Sequence, residues 1–326
     1  MTTGVLDLSD YATSSTAGSG LNSAIAALPS TGGTIVVPEG DWTLDETVEI
    51  NKNGVVIEGV SPLASRLFYN PASVTTAIKN INTTQRFCCI RDLFIDSNGN
   101  GGTAIDASYF VNSQFERLRI GDGSTFPLRG IVFDGLGTYY NTVRDCRIQV
   151  VGSGSYGILF DNDANSNWVE NVRILGDSNT VGVRTAAAHT NTLAHIDCET
   201  TMAIGLRIRG NNTTVISPYL EDVTVGLQLE SGTEAFSCIG GHIADCTTNI
   251  NDLGALEPAY VGVWLQYSIH NSISAGLNGM DPVIVHGRKS TAGAPTTGTW
   301  PTGALIMDSN KVLWFCTVGG TPGTWV

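Results

Sequence analysis

Basic residues are scarce in this chain: 17 lysines and arginines stand against 30 aspartates and glutamates, a formal charge of −13 over 326 residues. A nucleic-acid groove needs a basic stripe, and none is present, so nucleic acid is not expected as a partner. Long apolar runs are missing too. None approaches the ~20 residues of a membrane-spanning helix, and no membrane partner is expected. The first residues, MTTGVLDLSDYATSST, have neither the basic start nor the apolar core of a secretory signal peptide. The cysteines Cys88, Cys89, Cys146, Cys198, Cys238, Cys246 and Cys316 are odd in number and lack any CxxC spacing. They therefore suggest neither a metal knuckle nor a closed disulfide set, and read as small core residues. Nothing in the spacing indicates a cofactor.

What the chain does have is Gly, Thr, Val, Ile and Asn, with 38 glycines and only 14% charged residues. That mixture suits strands joined by tight turns. One phrase recurs: NSQFERLRI from Asn112, NTVRDCRIQ from Asn141, NWVENVRIL from Asn167 and NTLAHIDCE from Asn191. A second phrase follows each copy: RGIVFDG, YGILFDN, VGVRTAA, IGLRIRG and VGLQLES. Their glycines, Gly130, Gly157, Gly182, Gly205 and Gly226, lie 27, 25, 23 and 21 residues apart. A unit of fixed order and slowly varying period marks a solenoid. Apolar residues alternate at period 2 and not 3.6, so the solenoid is built of strands.

Aligned, the copies form columns. Phe115, Val143, Val169 and Leu193 make one apolar column; Leu118, Cys146, Val172 and Ile196 a second. Ile120, Ile148, Ile174, Cys198 and Leu220 make a third, and Ile131, Ile158, Val183, Leu206 and Leu227 a fourth. In a coil of parallel strands these stack inward at about 4.8 Å per rung, and each rung depends on its neighbours for burial. Outward, Glu116, Arg144 and Glu170 alternate in sign, as in a salt-bridge ladder. Arg119, Arg147 and Arg173 share a sign; that column is either compensated by nearby carboxylates or holds an anionic ligand or subunit.

The ends extend the pattern. GLNSAIAAL before GGTIVVPEGDWTL reads as a short amphipathic helix plugging the open end of the coil. The expected organisation is an N-terminal segment and capping helix over 1–33, the coil over 34–280, and a linker with a small C-terminal β module over 281–326. In that module Trp300, Trp314 and Trp325 form either a mini-core or a contact surface.

TGGTIVVPEGDWTL, NGVVIEGV and the rungs that follow resemble the pectate-lyase-like right-handed parallel β-helix superfamily, from residue 19 to about 275. NNTTVISPYLEDVTVGLQLE and the tail APTTGTW…LWFCTVGGTPGTW resemble phage tail-spike and tail-associated polysaccharide depolymerases. The resemblance implies an all-β, right-handed parallel β-helix acting on a polysaccharide, located in a virion tail or outside the cell. It also implies a homotrimer and contact with other phage tail proteins. The superfamily hosts hydrolases, lyases, epimerases and non-catalytic adhesins, so fold alone does not assign a function. Neither the Asn-Thr-Asp motif of polygalacturonases nor the calcium ligands of pectate lyases is found, so no metal site is assigned and a calcium ion is open but not indicated.

Hydrolysis of a glycosidic bond needs two carboxylates. Elimination from a uronic acid needs a base and a cation to stabilise the enolate. Four acids precede the glycine-led strands: Asp177, Glu199, Glu221 and Asp222, with Arg184 and Arg207 outward on the strands that follow. These six are the expected catalytic residues. Asp134 and Asp161, ending IVFD and ILFD on adjacent rungs, are a second pair, expected at the substrate, that could act as acid and base or share a cation. His195, flanked by Asp197, could serve as a base near neutrality, and Trp168 and Tyr219 could stack on sugar rings. Two functions remain open: a depolymerase, either hydrolase or lyase, and a non-catalytic glycan-binding or fibre protein.

Overall fold

The computed structural model describes residues 4–81, 83–121, 125–135, 137–255, 258–261, 263–266, 270–272, 286–288, 291–298, 300 and 302–326. Its body is a parallel β-solenoid with three faces. The glycine-led strands form the first face, a sheet of ten parallel strands running from Val48–Ile50 to His270–Ser272. The other strands wrap the second and third faces. Gln114–Glu116 and Arg119–Ile120 both pair with the single long strand Thr142–Gln149. Likewise Thr214–Ile216 and Tyr219–Glu221 both pair with Thr192–Glu199.

The corner between those two faces is one residue wide. Asp92, Arg117, Asp145, Asn171, His195 and Ser217 all take positive φ there, between 46° and 59°. A single left-handed residue turns the strand without ending it, and among non-glycine residues Asn and Asp tolerate that conformation best.

The inward columns fall in register as their alternation predicts. Phe115, Val143, Val169 and Leu193 are paired in succession, as are Ile131, Ile158, Val183, Leu206 and Leu227. Every one of these residues is at most 1% exposed, and they belong to one continuous core. Phe133 and Phe160 stack face to face at 4.8 Å. All seven cysteines are buried and unbonded to one another.

A buried asparagine ladder heads the second face. Asn141 Nδ2 donates to Asn167 Oδ1, and Asn167 Nδ2 to Asn191 Oδ1, each at 3.1 Å. These are the asparagines that open the recurrent phrase. They satisfy backbone amides at the turn where the sheet ladder is interrupted, since the Asn141, Asn167 and Ser113 N–H groups donate to the next rung's amide oxygen.

The helix Ala17–Ala27 caps the coil, with Leu21, Ala24 and Ile25 fully buried. Its glycines permit the approach: a Cβ on Gly18 would lie 2.2 Å from the Glu46 carbonyl oxygen. At the other end Leu305–Met307 adds in parallel to the coil, and Leu313–Val318 and Thr324–Trp325 follow antiparallel. Trp300 and Trp325 meet edge to face at 5.5 Å. The expected boundary at residue 280 lies outside the described residues. Among the described residues no helix is long and apolar enough to cross a membrane.

Candidate functional site

The third face carries two outward columns. In the first, Arg119, Arg147, Arg173, Asp197, Tyr219 and His242 succeed one another rung by rung. In the second, Gln149, Leu175 and Glu199 are paired. Glu221 follows them, one residue beyond the paired Cys198 and Leu220. Side chains two residues apart on one strand share a face, about 6.6 Å apart at Cα, so Asp197 and Glu199 stand in neighbouring outward columns of the same face, both in contact with Arg173.

Beside the corner this face forms a concave groove of about 470 Å³. Arg117, Arg119, Asp145, Arg147, Asn171, Arg173, His195 and Asp197 line it, with Pro62 at one edge. Arg117 is held by Asp92 through two bonds of 2.7 Å. Burial, and then the charge of Arg147, lower the pKa of Arg119.

Asp197 is the electrostatic centre. Its Oδ2 lies 3.5 Å from Arg173 Nε, and its buried Oδ1 has no hydrogen-bond partner among the described residues. Partial burial, helped by the charges of Glu199 and Glu221, pushes its carboxyl up to about 6 against the pull of Arg173. Arg173 also reaches diagonally to Glu199, with Nη2 2.5 Å from Oε2. One rung on, the Tyr219 hydroxyl donates to Glu221 at 2.6 Å, which raises its own pKa to about 12. The Tyr219 ring meets His242 edge to face at 5.2 Å.

The structure divides the six residues expected to be catalytic. Glu199 and Glu221 lie on the third face as described. Asp177 instead closes its own turn: its carboxylate accepts from Asn179 N–H, the Thr180 hydroxyl and Gly152 N–H at 2.9 to 3.2 Å. Burial opposes its charge, but those bonds outweigh it and hold the carboxyl below its usual range. Asp222 is an exposed turn residue with φ of 56°. Arg184 and Arg207 are adjacent in register, but on the first face. Arg184 donates to the Tyr156 hydroxyl at 2.9 Å and lies over its ring, while Arg207 binds Glu230 at 2.5 Å. Among the described residues no ion pair joins either arginine to the four acids.

Asp134 and Asp161 stack in register on the first face. Asn162 bonds both, through its side chain to Asp134 at 2.7 Å and its N–H to Asp161 at 2.9 Å. Among the described residues no group of three or more His, Cys, Asp or Glu side chains could hold a metal ion. His195 occupies the corner and lines the groove. Trp168 is on the second face, half exposed, with its indole N–H donating to Glu170 at 3.3 Å. Tyr219 is on the third face beside Asp197.

Asp197 is the residue that sequence reasoning noticed without choosing. It lies six residues after Asn191, as Arg173 lies six after Asn167 and Arg147 six after Asn141. That constant offset places it in the arginine column.

No protein-family model and no curated protein matches the chain. Solved structures do match, through the fold. The enzymatically active domain of tailspike protein 2 from bacteriophage CBA120 aligns at TM-score 0.57 and 11% identity, over 81% of this chain and 42% of that one. The gp42 tailspike of Acinetobacter phage vb_AbaP_AS12 aligns at 0.57 and 9%, over 99% and 65%. The A-module of the Azotobacter vinelandii mannuronan C-5 epimerase AlgE6 aligns at 0.53 and 14%, over 93% of each. The chain thus spans less than half the length of the first and about two thirds of the second. It shares the parallel β-helix fold of phage tailspike proteins and of a β-helix enzyme.

Proposed function

We propose that this protein is a polysaccharide depolymerase of the hydrolase type, cutting a glycan that lies along the third face. The observation that carries the reading is the placement of Asp197 and Glu199 on one face, both against Arg173, in surroundings that raise the Asp197 carboxyl to about 6. A glycosidase needs one carboxyl that keeps its proton and one that does not. Asp197 would donate to the glycosidic oxygen as the bond to the anomeric carbon breaks. Glu199 would take a proton from the water attacking that carbon. Arg173, in contact with both, would hold the pair in place.

The setting belongs to the same proposal. The tailspike neighbours support a virion tail or extracellular location, with contacts to other phage tail proteins. We take the working form to be a homotrimer, for which light scattering should give three times the 34.4 kDa chain mass.

The test is a panel of bacterial surface glycans assayed for new reducing ends and for the absorbance of unsaturated uronates. Reducing ends without that absorbance, lost by about a hundredfold or more in Asp197→Asn, are expected. Unsaturated products would make the protein a lyase, and tight binding without cleavage would make it an adhesin.

A further inference from the structure

The third-face strand Phe94–Ser97 is joined to the first-face strand Thr103–Asp106 by a turn that contains two Asn-Gly pairs, Asn98–Gly99 and Asn100–Gly101. A third pair, Asn53–Gly54, opens another rung. Two of the three are clamped in the same way by the rung that follows. The Arg86 N–H donates to Asn53 Oδ1 and the Gly54 N–H donates to the Arg86 carbonyl, both at 2.8 Å. Likewise the Phe126 N–H donates to Asn100 Oδ1 at 3.2 Å, and the Gly101 N–H to the Phe126 carbonyl at 3.1 Å. Each clamp engages the side-chain amide and the glycine nitrogen together. Asn98–Gly99 has no such clamp. Asn98 is exposed and is held only through its own N–H, which donates to the Tyr69 carbonyl at 2.6 Å. Neither its side chain nor the Gly99 N–H has a hydrogen-bond partner among the described residues. The space beside it is open too: apart from its chain neighbours, a Cβ on Gly99 would meet nothing nearer than Pro71 at 3.5 Å.

We propose that Asn98 is a site of spontaneous covalent modification, deamidating through a cyclic imide while the same dipeptide at Asn53 and Asn100 is protected by its clamp. The Gly99 nitrogen gives up its proton to a solvent base and attacks Asn98 Cγ. The bond from Cγ to the side-chain nitrogen breaks, ammonia leaves, and a five-membered succinimide closes. Water then adds to either imide carbonyl and opens the ring, leaving aspartate or isoaspartate. The only co-reactant is water, and no electrons are exchanged. Glycine leaves the attacking nitrogen unhindered, whereas a nitrogen bonded to a carbonyl holds its proton and its place. The clamps therefore select among three chemically identical pairs. The product puts a new negative charge on the turn, and isoaspartate adds one methylene to the backbone between the two faces. This site is independent of the depolymerase reading.

The experiment is incubation of the folded full chain at pH 8, with aliquots digested and sequenced by fragmentation mass spectrometry. Asn98 is expected to convert at least tenfold faster than Asn53 and Asn100, with isoaspartate among the products and a rate that rises with pH. In concentrated urea the clamps are gone, and Asn53 and Asn100 should rise to within a few-fold of Asn98. Gly99→Val, which hinders the attacking nitrogen, should slow Asn98 at least tenfold in the folded chain. Equal rates at the three asparagines of the folded protein would overturn the proposal. So would an Asn98 that converts in urea and not in the folded chain, because the turn then protects it by some other contact. Aspartate without isoaspartate would mean direct hydrolysis of the amide and would exclude the imide.

Discussion

Arg173 and Asp197 occupy the same outward position on adjacent rungs, with the guanidinium Nε 3.5 Å from the carboxylate Oδ2. The basic column ends and the acidic cluster begins at this contact. Arg173 also holds Glu199, so one guanidinium is shared between the two carboxylates assigned opposite roles. Removing it should alter both, in a direction that can be worked out.

In the wild type, activity should fall as pH rises through about 6, because the proton that Asp197 donates is lost there. Arg173 pulls that pKa down, so Arg173→Gln should shift the alkaline limb to higher pH while lowering the maximum rate. Glu199 pushes it up, so Glu199→Gln should move the Asp197 titration toward the ordinary carboxylate range. Carbon-13 NMR of the Asp197 carboxyl reads both shifts without a substrate. Shifts of the opposite sign would remove Asp197 from the role of acid.

The same carboxyl should weaken the fold at neutral pH. Its folded pKa is raised from 3.8 to about 6, so the stability it contributes is complete below the unfolded value and lost as pH rises through the folded one. With its partial exposure discounted, the loss is about 1–2 kcal/mol. Asp197→Asn should therefore gain melting temperature over the wild type at pH 8, and the gap should narrow toward pH 4. A constant gap would mean that desolvation of Asp197 costs nothing.

The coil was legible in the sequence because its inward positions recur at a constant offset within each phrase. Ile158, Val183 and Leu206 could be aligned from their glycines alone, and they pair as aligned. The site was less legible for a geometric reason. Asp177 and Glu199 lie at nearly equal offsets before Gly182 and Gly205, but Glu199 pairs with Leu175 and not with Asp177. The turns joining the third face to the first differ in local course, so counting back from the glycines puts an acid of one rung beside the wrong partner on the next. Counting forward from the asparagines would have found Asp197. The asparagines were seen as the head of a phrase, but their bonding across rungs cannot be read from one phrase alone.

That bonding predicts the behaviour of Asn167, which is 2% exposed. Its Oδ1 accepts from both the backbone N–H and the Nδ2 of Asn141, and its Nδ2 donates to Asn191 Oδ1. Asn167→Ala should cost about 2–4 kcal/mol, the loss of several buried hydrogen bonds with partners left unsatisfied. Asn167→Asp should be worse at pH 8, since a carboxylate there faces the Asn191 oxygen with no proton to give. Lowering the pH should recover part of that loss by restoring a donor, while the alanine variant stays unchanged. Denaturant midpoints at pH 5 and 8 measure both, and a pH-independent aspartate variant would contradict the ladder.

The glycine ladder makes a sharper claim, because its cause is close approach between rungs. A Cβ on Gly182 would lie 2.5 Å from the Gly205 carbonyl oxygen and 2.6 Å from Cys198 Sγ. Gly130, Gly157 and Gly205 meet the next rung's glycine carbonyl in the same way, at 2.4, 2.7 and 2.8 Å. No side chain can be accommodated at these positions without spreading the rungs. Gly182→Ala should destabilise by at least the 1–3 kcal/mol typical of overpacking. Cys198→Ala removes one of the two obstacles and leaves the carbonyl, so it should rescue Gly182→Ala in part. On its own, Cys198→Ala should be destabilising, because it opens a small cavity in a fully buried column. The double variant should then be more stable than the sum of the two single losses, by an amount a double-mutant cycle resolves. Strict additivity would mean that the Cys198 sulfur and the position-182 side chain do not compete for the same space, and that the glycines recur for some reason other than rung spacing.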